Sequence, residues 1–159
     1  MFLNKRYAQA SVALQRAGRS REAAICDAYL LREKARSIST ATSAARIKAF
    51  VAAAKAFTTR AEDSPSKRVT ERLDHYAVAG ECYSEARDLK SAGGSYCMAE
   101  RYDEGARAYR EGEYFDEMVD VITRHEDVMD RGIVERLTMV ARMYYFKVCF
   151  DGLLAPGCL

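Results

Sequence analysis

Tryptophan is absent from the sequence, and proline and histidine occur only twice each. Two histidines, His75 and His125, are too few for the four or so clustered nitrogen or sulfur ligands of a zinc site, so no metal is expected. The five cysteines, Cys26, Cys82, Cys97, Cys149 and Cys158, form no CxxC pair and are odd in number. That pattern fits reduced thiols and argues against a disulfide framework. No apolar run approaches the 18 or so residues that cross a bilayer, and "MFLNKRYAQA" places charge too early for a secretory segment. The expected setting is intracellular, cytoplasmic or nuclear, with no membrane partner. A phosphate-binding loop is also missing, because "AGGSYC" has the glycines without the Lys-Ser/Thr.

What the sequence does contain is charge, and the charge is segregated. Residues 1–60 carry 12 Lys+Arg against 3 Asp+Glu, a net of +9, while residues 61–159 carry 13 against 20, a net of −7. The two blocks can attract one another or steer separate partners.

A second feature is a repeat at an offset of 13 residues: "YAVAGECYSEARD" (76–88), "LKSAGGSYCMAER" (89–101), "YDEGARAYREGEY" (102–114) and "FDEMVDVITRHED" (115–127). Position 1 reads Tyr76, Leu89, Tyr102, Phe115; position 4 Ala79, Ala92, Gly105, Met118; position 8 Tyr83, Tyr96, Tyr109, Ile122; position 11 Ala86, Ala99, Gly112, His125. At 100° per residue, positions 1, 4, 5, 8 and 11 fall within an arc of about 120°, the buried stripe of an amphipathic helix. Each copy predicts one helix of about three turns, with Asp103-Glu104 and Asp116-Glu117 at helix starts and Gly112 at a helix end. Helices this short are marginal alone, so stability must come from stacking.

The same phrase occurs upstream in "YAQASVALQRAGRSREAAICDAYLL", with Leu14 at position 8 and Ala23 and Ala24 at positions 4 and 5, predicting a first hairpin over residues 2–36. "SISTATS" (37–43) is a break. A longer helix follows, with Ile47, Phe50, Val51, Ala54, Phe57 and Ala61 on one face. "EDSPSK" (62–67), with Pro65, separates the basic half from the acidic half and is expected to be the weakest joint. A last long helix carries Ile133, Leu137, Val140, Ala141, Tyr144 and Val148 on one stripe.

The expected fold is all-α: a right-handed α-solenoid of short antiparallel helical hairpins, tetratricopeptide-like, with 13 residues per helix over 76–127. Its segments are residues 1–62 (basic hairpins), 63–70 (linker), 71–150 (acidic repeats) and 151–159. The last, "DGLLAPGCL", reads as an irregular apolar tail, either truncated and able to drive self-association or folded back on the last helix.

The phrases "AGECYSEARDLKSAGGSYCMAERYDEGARAYREGEYFDEMVDVI", "VERLTMVARMYYFK" and "AICDAYLLREKAR" resemble the helical-repeat region of large fungal tetratricopeptide-and-ankyrin-repeat proteins that carry a UvrD-like superfamily-one helicase domain. The resemblance covers most of residues 1–150. It implies an accessory scaffold of a helicase-like protein, without the helicase domain and with no catalytic or cofactor residue to carry over.

The expected function is therefore a non-enzymatic protein-interaction scaffold that takes a protein or peptide partner. The alternative is an electrostatic nucleic-acid binder working through residues 1–60, with Arg19, Arg21, Arg32, Lys34, Arg36, Arg46 and Lys48 as the surface for an anionic partner. Cys82 and Cys97 (positions 7 and 9), the tyrosines of position 8 and the acidic pairs read as packing, core and capping residues rather than as chemistry.

Overall fold

The computed structural model describes residues 2–39, 43–65 and 68–153. Within them it is all-helical: α1 (Phe2–Arg16), α2 (Ser20–Ser37), α3 (Ala44–Glu62), α4 (Val69–Glu85), α5 (Leu89–Met98), α6 (Tyr102–Glu111), α7 (Phe115–His125) and α8 (Arg131–Leu153). Each helix packs chiefly on its neighbours in the chain, and α8 also touches α6.

The 13-residue period is set by one turn used four times. Gly18, Arg87, Glu100 and Glu113 all adopt a left-handed backbone, with φ of 71°, 61°, 59° and 62°. In each case the next N–H donates to the carbonyl five residues back: Arg19 to Leu14, Asp88 to Tyr83, Arg101 to Tyr96 and Tyr114 to Tyr109, at 2.8–3.0 Å. This closes one helix by satisfying a terminal carbonyl. The donor residue is at once the N-cap of the next helix, with its carbonyl accepting from Ala23, Ala92, Gly105 and Met118 respectively. Helices α2, α5, α6 and α7 therefore start at equivalent positions.

One sequence expectation changes here. The copy at 76–88 is not a helix of its own; it is the C-terminal part of α4, which begins at Val69 and so takes in the end of the expected linker. Gly112 stands at a helix end as expected, as the C-cap of α6 with φ −85°, and the left-handed residue is Glu113 after it. Glycine is needed at 112 for space, because a Cβ there would lie 2.7 Å from the Tyr114 ring and 2.9 Å from the Leu89 Cβ. A left-handed non-glycine residue costs about 1–2 kcal/mol, partly offset by the greater chain entropy of glycine. Glu100→Gly and Glu113→Gly are each expected to raise the unfolding free energy by about 0.5–1 kcal/mol, read as a higher urea midpoint.

The buried stripe falls where the period places it. Ala79, Ala92, Gly105 and Met118 (position 4) are all buried, as are Tyr96, Tyr109 and Ile122 (position 8). Position 5 explains how the helices come close. A Cβ on Gly80 would stand 2.8 Å from the Tyr96 ring, and one on Gly93 would stand 2.6 Å from the Tyr109 ring. Tyr96 and Tyr109 thus lie on the bare backbone of the preceding helix.

The interruption at Pro65 does not divide the packing. The most extensive helix–helix packing is that of α3 on α4, directly across it. One core cluster joins Ala28 and Ala35 of α2, Phe50, Ala53, Ala54 and Phe57 of α3, and Ala79 and Cys82 of α4. Apolar pairing of two long helices outweighs the local break.

Helix α8 is held by Ile133, Val134, Leu137 and Ala141, and by Tyr144 stacked on Phe115 at 4.1 Å. The Tyr145 hydroxyl donates to Asp116 of α7, and this bond pushes the phenol up to about 12. At its start, the Asp130 carboxylate accepts from Ile133 N–H at 2.9 Å, while Asp103 accepts from Asp130 N–H at 3.2 Å. The expected stripe weakens beyond Ala141, where Tyr144 and Val148 are 39% and 49% exposed. Asp151 to Leu153 continue α8 instead of opening an irregular tail; the rest of that tail, with Cys158 and any self-association through it, lies outside the described residues.

Candidate functional site

The seven basic residues expected to form one surface divide into three groups. Arg32 and Arg36 near the end of α2 meet Arg46 at the start of α3. Arg19 and Arg21 stand at the other end of α2, about 17 Å or more away along its axis. Lys34 and Lys48 are exposed apart from both groups.

Arg19 has a local role. Its guanidinium pairs with Glu22 at 3.1 Å, as Arg68 pairs with Glu71 at 3.3 Å and Arg101 with Glu104 at 2.6 Å. In all three cases an arginine at the N-cap holds a glutamate in the first helical turn. There the carboxylate also favours the positive helix end. Arg21 lines a small cleft of about 90 Å³ with Arg60, Arg68 and the acids Glu22, Asp63 and Glu71.

Arg32, Arg36 and Arg46 line an open groove of about 610 Å³ between α2, α3 and α4, closed at its far side by Arg87 and Tyr96. Its floor is apolar and fully covered, Phe50 at 0% and Cys82 at 1% exposure. The acidic half supplies two glutamates, one turn apart on α4. Arg32 bonds Glu81, and Arg46 pairs with Glu85 at 2.9 Å. The two charge blocks of the sequence meet here. Arg46 also lies over the Phe50 ring at 5.1 Å and reaches the Ile38 carbonyl at 3.5 Å, while its buried Nε has no acceptor. Arg36 and Arg87 are tied to glutamates outside the lining, Glu33 at 2.9 Å and Glu111 at 2.7 Å. Exposed pairs of this kind contribute about 0–1 kcal/mol each, so an incoming carboxylate can replace Glu33 or Glu111 at little cost.

Sequence reasoning missed Arg87, Glu81, Glu85 and Tyr96. The signal available was the i, i+4 spacing of Glu81 and Glu85, which puts both carboxylates on one helix face.

Cys82, Cys97 and His125 take part in the packing. Burial pushes the Cys82 thiol up to about 11, and likewise the Cys97 thiol to about 11, the reverse of an activated nucleophile. His125 closes α7 and stacks on Tyr102 at 3.7 Å and 8°. Among the described residues no three His, Cys, Asp or Glu cluster as metal ligands, and no helix is long and apolar enough to cross a membrane.

His75 is 7% exposed with Nδ1 unpartnered, and burial holds its pKa below the usual value, against the pull of Glu71 and Asp74 and with Arg60 adding to the depression. The folded imidazole therefore stays neutral to lower pH than the unfolded one, which takes up its proton below about pH 6.5. Stability should be intact above that pH and fall as the pH drops through it towards the depressed folded value. His75→Phe is expected to flatten this acid limb, as read from Tm against pH.

No family model matches the chain, and neither the curated proteins nor the solved structures compared with it include a match.

Proposed function

We propose that the chain is a non-enzymatic interaction scaffold, a right-handed tetratricopeptide-like α-solenoid whose groove between α2, α3, α4 and α5 receives a peptide segment of a protein partner. The mixed charge of that groove carries the reading. A continuous phosphate backbone would have to lie against Glu81 and Glu85, whereas a peptide bearing both signs can enter an alternating Arg/Glu lining. The recurring turn supports the solenoid, because an identical connection after α4, α5 and α6 in succession repeats the same displacement.

The test is the elution of the native protein from cell extract by size exclusion. Scaffold function requires an assembly that Arg36→Glu with Arg87→Glu dissociates without lowering Tm. Elution alone, together with single-stranded DNA binding that the same substitutions abolish, would replace this reading by the nucleic-acid one. ATP turnover above a heat-killed control would contradict both.

The resemblance further supports an accessory segment of a helicase-like multidomain protein. An antibody against residues 102–127 tests it: a band many times larger than 17.8 kDa agrees, and a single band at that mass does not.

A further inference from the structure

Helix α8 is apolar on two nearly opposite faces. One packs on α6 and α7 through Ile133, Leu137 and Ala141. The other bears Met139, Met143, Phe146 and Phe150, which are 64%, 68%, 73% and 53% exposed. These four are spaced 4, 3 and 4 apart, so they fall within an arc of about 60°, the narrow seam by which one helix meets another. Phe146 and Phe150 already stack on each other along it, at 6.3 Å.

The seam adjoins a groove of about 360 Å³ between α6 and α8. Its floor is Ile133, Leu137 and Val140, Met139 belongs to both groove and seam, and the rim is Arg107, Arg110 and Arg136. Those three arginines have no ion pair among the described residues, unlike the arginines of the α2–α4 groove. Further along α8 the seam is flanked by Arg142 and Lys147, while Glu135 is held by Arg131 at 3.1 Å.

We infer that this surface docks an acidic amphipathic helix from a protein partner. Its leucine-like face would cover the methionines and phenylalanines, and its carboxylates would take the unpaired arginines. The charge argues against a second copy of the chain, because two α8 seams would bring cationic flanks together. The narrow seam beside a concave groove suits a helix better than a flat lipid surface, and methionine adapts to the partner's shape. This surface is separate from the α2–α5 groove, and its failure would leave the proposal for that groove standing.

The probe is a fluorescein-labelled amphipathic peptide of about 18 residues, long enough to span the seam, with leucines at heptad spacing and glutamates on both flanks. Anisotropy should show binding that weakens with salt and is not matched by the lysine-flanked counterpart. Arg107→Glu with Arg110→Glu, and separately Phe146→Ser, should each weaken binding about tenfold or more while Tm holds, since all three side chains are exposed. Equal binding of the lysine peptide, or none of the glutamate peptide at millimolar concentration, overturns the inference. So does a dimer that Phe146→Ser dissociates and the peptide does not, or binding to anionic vesicles without binding to the peptide.

Discussion

Replacing Phe57 by alanine is expected to lower the unfolding free energy by about 3–5 kcal/mol, much of what a native domain possesses. Phe57 is fully buried, with the Tyr29 ring edge-on at 4.9 Å and the His75 ring at 6.3 Å. It thus touches α2 on one side and α4 on the other, and loss of its ring leaves a cavity that long helices cannot close by small shifts. The further expectation concerns cooperativity. Because α3 and α4 share this core across Pro65, the amides of α4 should lose hydrogen-exchange protection together with those of α2 and α3. Protection lost in residues 1–62 and kept in α4 would restore the weak joint that the sequence suggested.

Fold class was legible because burial and period largely agree: positions 4 and 5 of the repeat are buried from Ala79 and Gly80 through Gly105 and Ala106, as are Tyr96 and Tyr109 at position 8, while Tyr83, Tyr102 and Gly112 are half-buried. The turn was legible in position and not in chemistry. Gly18 gives the usual signal of a left-handed residue, but Arg87, Glu100 and Glu113 adopt the same backbone with no glycine or asparagine to announce it. Their conformation goes with the next N–H reaching back to the position-8 carbonyl, a local helix-closing bond that residue identity did not announce. The packing of α3 on α4 across Pro65 was not legible either, since local breakers report on the chain and not on what packs across it. The basic surface was only partly legible. Counting charges along residues 1–60 found Arg32, Arg36 and Arg46 but could not separate them from Arg19, whose partner is three residues away, or join them to Arg87, which lies in the acidic half. Seam and core on α8 were both apolar in sequence, and only their angular separation around the helix distinguishes them.

Adjacent glycines give the most discriminating test of the stacking itself. Gly93 and Gly94 both lie inside α5, where alanine would ordinarily stabilise by about 1 kcal/mol. A Cβ on Gly94 would meet only the Tyr109 hydroxyl at 3.6 Å, an ordinary contact, so Gly94→Ala should realise that gain. A Cβ on Gly93 would stand 2.6–2.8 Å from three atoms of the Tyr109 ring. That ring is 9% exposed, packed with Met118 and Ile122 and edge-on to Tyr114 at 6.5 Å, so it cannot withdraw without opening the α6–α7 core. Overpacking of this kind costs about 1–3 kcal/mol, enough to outweigh the helix-propensity gain, and Gly93→Ala should lower the urea midpoint while its neighbour raises it. In a Tyr109→Ala background the obstruction is gone, and Gly93→Ala should then become stabilising, a reversal of sign that only direct contact between the two residues produces. Equal effects of the two glycine substitutions, or the same effect with and without the ring, would mean that the tyrosine does not set the distance between the helices.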